Sequence, residues 1–123
     1  LVFAGNDPAI DSNESWNGTS WTEVADLNTA TKALVGCGAD NTSALAFGGS
    51  IDGSGTRTAK TELWNGTSWT EVNDLGTGIN GGIAPAGGAT SGLSSGGTSA
   101  PNTQNTGTEE WTATAVVSTV TTS

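Results

Sequence analysis

Residues 16–24 read WNGTSWTEV, and residues 64–72 read the same nine letters without a change. Each copy holds two of the five tryptophans in the chain, so coincidence is not a credible explanation. The likeness runs on into Ala25-Asp26-Leu27 and Asn73-Asp74-Leu75. Farther out, Leu45-Ala46-Phe47-Gly48-Gly49 is echoed by Leu1-Val2-Phe3-Ala4-Gly5 and by Leu93-Ser94-Ser95-Gly96-Gly97. Thr61-Glu62-Leu63-Trp64 returns as Thr108-Glu109-Glu110-Trp111. The 123 residues are therefore a repeat of roughly 44 to 48 residues, present a little over two and a half times.

Composition limits what such a unit can build. Charged residues make up 12% of the chain, and glycine, threonine, serine and asparagine are abundant. That mixture disfavours helices and suits short strands joined by tight turns. In residues 31–75 the pattern predicts four strands, Ala33–Gly38, Ser43–Gly48, Ala59–Trp64 and Ser68–Val72. They are separated by a break at Ala39–Thr42, a polar loop at Ser50–Thr58 and the pair Asn65-Gly66. The links are short enough to make the strands antiparallel.

Asn-Gly is the favoured pair of a two-residue type I′ hairpin. With Asn17-Gly18 in such a turn, Trp16 pairs with Thr19 and Glu14 with Trp21; a four-residue loop instead pairs Trp16 with Trp21 directly. Either way the two tryptophans of a unit share one sheet face, which an isolated four-stranded sheet cannot cover. The cover must come from the neighbouring unit, so Trp16, Trp21, Trp64 and Trp69 are expected between sheets and out of solvent.

Sheets of this size, apolar on both faces and repeating every 40 to 50 residues, describe the blades of a propeller. At this point the chain resembles the kelch repeat family. The resemblance rests on Gly48-Gly49 after the second strand, then Trp64, Trp69, Val72 and Leu75 in that order, with Trp16, Trp21, Val24, Leu27 and Lys32 in the first unit. It departs from the family where Trp64 replaces the usual tyrosine, in the short spacing to Trp69, and where Ile79-Asn80 replaces the basic residue. The implied fold is all-β: kelch-like β-propeller blades, each a four-stranded antiparallel sheet, in a partial propeller of about two and three-quarter blades. Residues 1–30 form a partial first blade, 31–75 a second, and 76–123 a degenerate third. In the last, Trp111-Thr112-Ala113-Thr114-Ala115-Val116 replaces the hairpin, Val116 takes the second tryptophan's place, and Val116–Ser123 reads as a final strand. Leu1 begins at the second strand of a blade, giving three, four and four strands along the chain. A closed ring of four to eight blades needs roughly 190 to 380 residues. That count, and the lack of methionine, lead us to expect a longer chain.

The phrases Asn65–Leu75 and Thr108–Trp111 are also similar to kelch-type repeats of predicted structural proteins of marine bacteriophages. This resemblance implies a non-catalytic structural protein of the virion, a tail or fibre appendage or a head decoration, in contact with the host surface. Its expected partners are other virion proteins or further copies of the chain, and a host glycan or protein. The alternative is a secreted or surface bacterial adhesin that binds glycans through loop-borne aromatics. Recognition is placed on the links that vary between units, Asn6–Asn13, Ser50–Thr58 and Thr98–Gly107, with Asp7, Asp11, Asp52, Ser54, Arg57, Asn102 and Gln104 as candidates. The structural repeat is assigned to Trp16, Trp21, Gly48, Gly49, Trp64, Trp69, Gly96, Gly97 and Trp111.

Several chemistries are disfavoured. Three cations against twelve carboxylates give a formal charge of −9, which makes nucleic acid and anionic membrane poor partners. No apolar run approaches the roughly 20 residues of a membrane-spanning helix. With no histidine and no tyrosine, neither a histidine-based triad nor a histidine metal site can form, and the copper chemistry of galactose oxidase, a kelch enzyme, cannot be carried over. No cofactor is expected. Glu14, Glu62 and Glu109 recur before the third-strand aromatic, and Glu23 and Glu71 recur in the fourth strand; recurrence in successive units favours an architectural role over a catalytic pair. Ile51–Thr56 has only an incomplete series of calcium ligands and reads as a loop. Asn13, Asn17, Asn41 and Asn65 satisfy the glycosylation sequon, but the turn geometry already explains two of them. Cys37, alone between two glycines, reads as a small buried residue.

Overall fold

Strand and turn alternate throughout the computed structural model, which describes residues 1–5, 8–51, 55–81, 87–100, 103–113 and 118–120; no helix occurs among them. The first sheet holds β1 (Val2–Phe3), β2 (Asn13–Trp16) and β3 (Trp21–Val24), in that order. The second holds β4 (Val35–Asp40), β5 (Ser43–Phe47), β6 (Thr61–Trp64) and β7 (Trp69–Val72). The third runs β8 (Gly87–Gly88), β9 (Ser91–Ser95), β12 (Thr108–Thr112) and β13 (Ser118–Val120). Between β9 and β12 a separate hairpin forms from β10 (Thr98–Ala100) and β11 (Thr103–Gln104), where the sequence suggests only a variable loop. Every strand pair is antiparallel, and none of the sheets closes on itself.

The repeated hairpin has a four-residue loop, since Trp16 pairs with Trp21 and Trp64 with Trp69. Asn17 Oδ1 accepts hydrogen bonds from the backbone N–H groups of Thr19 and Ser20, each at 2.9 Å, and Asn65 does the same for Thr67 and Ser68. Of each Asn-Gly pair only the glycine has positive φ, 99° at Gly18 and 94° at Gly66. Asparagine therefore acts here through its side-chain carbonyl, closing an Asx-type turn, and not through a left-handed backbone.

β4 runs two residues farther than the break expected at Ala39. Asp40 Oδ1 accepts from the Thr42 hydroxyl at 2.6 Å and from its N–H at 2.7 Å, so the turn closes at Asn41-Thr42. The same bonds, the Thr42 hydroxyl foremost, hold the Asp40 carboxyl below its ordinary pKa.

Alternation along β5 builds both layers of the core, because neighbouring side chains of a strand point to opposite faces. Ala44 and Ala46 join Leu27, Trp64 and Trp69 between the first and second sheets, with Phe3 and Val24 packed against them. Leu45 and Phe47 join Val35, Leu75, Ile79 and Trp111 between the second and third. The strand ends at Gly48 and Gly49, with φ of 68° and 95°. A Cβ on Gly49 would stand 2.4 Å from Thr31 Cγ2 and 2.8 Å from Lys32 O, so only glycine lets this corner thread between the links. Lys32 and Ser50 exchange backbone hydrogen bonds of 2.9 and 2.8 Å, and Asn80 and Thr98 do the same at 3.0 and 2.9 Å. Each link is thereby pinned to the unit it leads into. In the third sheet Gly96 and Gly97 repeat the corner, while Ala4 takes the first glycine's place in the first sheet with φ of 59°.

Candidate functional site: the faces between units

The second and third units each turn their tryptophans toward the unit before. Trp64 and Trp69, 2% and 6% exposed, lie against the first sheet, where the Phe3 ring meets Trp69 edge-on with centroids 4.9 Å apart. Trp111 lies against the second sheet, and its Nε1 donates to Asn73 O at 2.8 Å. Trp64 Nε1 donates to Asn41 O at 3.0 Å. Trp69 Nε1 is buried with no hydrogen-bond partner among the described residues.

Trp16 and Trp21 keep the mutual geometry of the second pair, with ring centroids 5.2 Å apart against 5.4 Å and an interplanar angle of 44° in both. Yet they are 42% and 52% exposed, which corrects the expectation that all four lie between sheets. The cause is positional. They stand on the face of the first sheet turned away from the second, and no described residue stands before it as Phe3 stands before Trp69.

A glutamate completes each buried face. Glu62, buried in the second sheet, accepts the N–H of Asn28 at 2.8 Å on Oε2 and that of Thr29 at 3.0 Å on Oε1. Asn28 Nδ2 adds a third bond to Oε2 at 2.9 Å and reaches Trp69 O at 3.0 Å. Glu109, buried in the third sheet, accepts Gly76 N–H at 2.6 Å and Thr77 N–H at 3.0 Å in the same fork. A carboxylate matches two successive N–H groups because its two oxygens accept side by side, and charge-assisted bonds of this kind are the strong ones. The donors follow a buried leucine, Leu27 or Leu75, so the anchored leucine presents the next two N–H groups to the following sheet. Glu14, at the equivalent place in the first sheet, is exposed and makes no such bond with a described residue.

Beside two of these glutamates stands a second one, since Glu62 pairs across the strands with Glu71 and Glu14 with Glu23, whereas Glu109 pairs with Ser94 and Thr119. Like charges so placed repel. Lys60 Nζ answers Glu71 at 2.8 Å, and that carboxylate holds the lysine above its ordinary pKa. Both partners are solvent-exposed, so the pair adds little to stability. The first unit has Ser12 at the position of Lys60.

The loop candidates are dispersed. Arg57 donates from Nε to Thr98 O at 2.9 Å, from Nη2 to Thr98 Oγ1 at 3.1 Å and from Nη1 to Gly55 O at 2.8 Å, which makes it a brace between the second and third units. Asp11 is half-buried, its backbone carbonyl accepting Leu27 N–H at 2.9 Å, and Gln104 is exposed on β11. Asp7, Asp52, Ser54 and Asn102 lie outside the described residues, as does Val116. Among the described residues no group of three or more carboxylate or thiol side chains is placed to hold a metal ion. Cys37 is half-buried with its Sγ 3.9 Å from Gly88 O, and burial pushes its thiol pKa up. An open groove of about 530 Å³ runs between β1 and the stretch of β4 from Gly36 to Asp40.

The backbone donors at Asn28, Thr29, Gly76 and Thr77 escape a reading that looks for functional side chains. Their signal is the recurrence of Asp-Leu-Asn-Thr at 26–29 as Asp-Leu-Gly-Thr at 74–77.

No protein-family model matches the sequence, and no curated protein matches it. Among solved structures, that of YjhT superposes on 97% of this chain with a TM-score of 0.72 at 17% identity. The chain spans 41% of the length of YjhT. At that identity the likeness concerns the fold alone, and function must be argued from the faces described above.

Proposed function

We propose that the three sheets are successive blades of a kelch-type β-propeller. In this reading the chain serves without catalysis as a structural part of a phage particle, a tail or fibre appendage or a head decoration whose loops face the host. The observation that carries the scaffold role is the engagement of Glu62, Glu109, Trp64, Trp69 and Trp111 in gripping the preceding sheet. These five side chains are thus committed to architecture. The virion location is supported by the phage-like phrasing of residues 65–75 and 108–111. Other virion proteins or further copies of the chain are the proposed partners. Antibodies against the chain should label purified phage particles at a fixed position in electron micrographs. Labelling confined to bacterial cell surfaces would overturn the virion assignment.

The exposed Trp16–Trp21 pair favours a second reading, a surface module that binds glycans, because sugar C–H groups stack on open indole faces. A glycan array separates the two: binding that disappears in Trp21→Ala supports the second, and an empty array leaves the scaffold.

A further inference from the structure

We propose that Asn17 and Asn65 are sites at which the chain modifies itself, while Asn80 is spared. Each of the two cyclises with its following glycine to a succinimide, which water opens to aspartate or isoaspartate. This goes beyond the virion reading and does not depend on it.

The sequence holds three Asn-Gly pairs, at 17–18, 65–66 and 80–81. As letters they are equivalent, since each sets a backbone nitrogen beside a side-chain amide, with no Cβ on the glycine to obstruct the approach. The fold separates them. For the ring to close, the peptide group that joins the pair must turn. At 80–81 both of its polar atoms are bonded, Asn80 O to Thr98 N–H at 2.9 Å and Gly81 N–H to Ala33 O at 3.0 Å. Asn80 is also half-buried. At 17–18 and 65–66 neither polar atom is bonded to a described residue, and both pairs are exposed at hairpin tips.

The hairpin tip also favours the reaction at the amide carbon. Two backbone N–H groups point at the side-chain oxygen at 2.9 Å in each turn. That oxygen becomes negative in the tetrahedral intermediate, where the same donors act as an oxyanion hole. The departing nitrogen is held loosely, Asn17 Nδ2 reaching only the exposed Ser20 Oγ at 3.3 Å.

The balance needs no oxidant or cofactor. The glycine nitrogen loses its proton to solvent base and bonds to the asparagine Cγ, the bond from Cγ to Nδ2 breaks, and that nitrogen leaves as ammonia with the proton. Water then attacks one of the two ring carbonyls: at Cγ it restores the chain as aspartate, and at the backbone carbonyl it leaves isoaspartate. Aspartate keeps an acceptor for both turn N–H groups, whereas isoaspartate lengthens the main chain by one carbon between the paired tryptophans.

The test follows the whole chain, folded at mildly alkaline pH, then digested and read by mass spectrometry at each pair. Conversion at Asn17 and Asn65 should run at least about tenfold faster than at Asn80, whose ring closure waits on local opening. In guanidinium the advantage should vanish, with Asn80 rising to the level of the other two. Part of the product at 17 and 65 should be isoaspartate, which direct attack of water on the side-chain amide does not give. Gly18→Ala, at a place where the added Cβ meets nothing within 4 Å, should slow conversion at Asn17 several-fold and leave Asn65 unchanged. Equal rates at Asn65 and Asn80 in the folded chain would overturn the proposal. So would a difference between them that persists after unfolding, product free of isoaspartate, or a folded chain inert at all three pairs while the unfolded chain converts.

Discussion

Glu62→Gln preserves shape and removes only the charge and one acceptor, which isolates the fork from packing. Glutamine can keep its carbonyl on the side of Asn28, retaining two bonds in neutral form, but it then turns an NH₂ group toward Thr29 N–H, donor against donor. Hydrogen bonds to charged groups contribute about 1.5–3 kcal/mol each, and a buried donor left unpaired costs about 1–3 kcal/mol. Relief of repulsion from Glu71 returns about 0.2–1 kcal/mol. The net expectation is a loss of about 2–4 kcal/mol. Glu14→Gln is the internal control, made in the same place of a sheet that ends in the same nine residues. Its side chain is exposed and outside any fork, so the change should stay within about 0.5 kcal/mol. Urea unfolding followed by circular dichroism reads both as midpoint shifts at constant slope. Equal midpoints for the two variants would refute the fork as a stabilising device.

The tryptophans divide in the same way: Trp64→Ala should destabilise the chain by about 3–5 kcal/mol as a buried aromatic truncation, whereas Trp21→Ala should cost under about 1 kcal/mol, and similar midpoints would contradict the assigned faces. Gly49→Ala should lower stability by more than Gly81→Ala, since both have positive φ but only Gly49 has atoms of Thr31 and Lys32 where the Cβ would go; equal thermal midpoints would count against the threaded corner. Burial disfavours the Cys37 thiolate, so iodoacetamide at pH 8.5 should label the folded chain more slowly than the urea-unfolded chain, and equal rates would show that the thiol is open.

The sequence disclosed the repeat, the strand content and the sharing of one face by each tryptophan pair, because all three depend on local pattern and on the two-residue period of a strand. It left the hairpin open between two loop lengths. The choice turned on Asn17 and Asn65 using their side chains, a contact that an Asn-Gly pair leaves undetermined. Nor could it separate Trp16 from Trp64, since identical letters are buried or exposed according to what stands before them. Recurrence marked Glu62 and Glu109 as architectural, but the fork needs the path of the preceding link, which is tertiary information. Arg57 looked like a loop residue free for recognition, and only the placement of the β10–β11 hairpin turns it into a brace.

The backward orientation of the tryptophans and glutamates bears on how the chain emerges from the ribosome. Synthesis runs from the N-terminus and domains fold as they appear. Trp64 and Trp69 bury themselves on Phe3 and Leu27, and Glu62 closes on Asn28 and Thr29, all of which are already made when the second hairpin exits. Trp111 and Glu109 likewise find Asn73, Gly76 and Thr77 waiting. Neither unit has to hold these side chains open until later residues arrive. Growth of the stack is thus vectorial, each newcomer supplying the adhesive that fastens it to its predecessor.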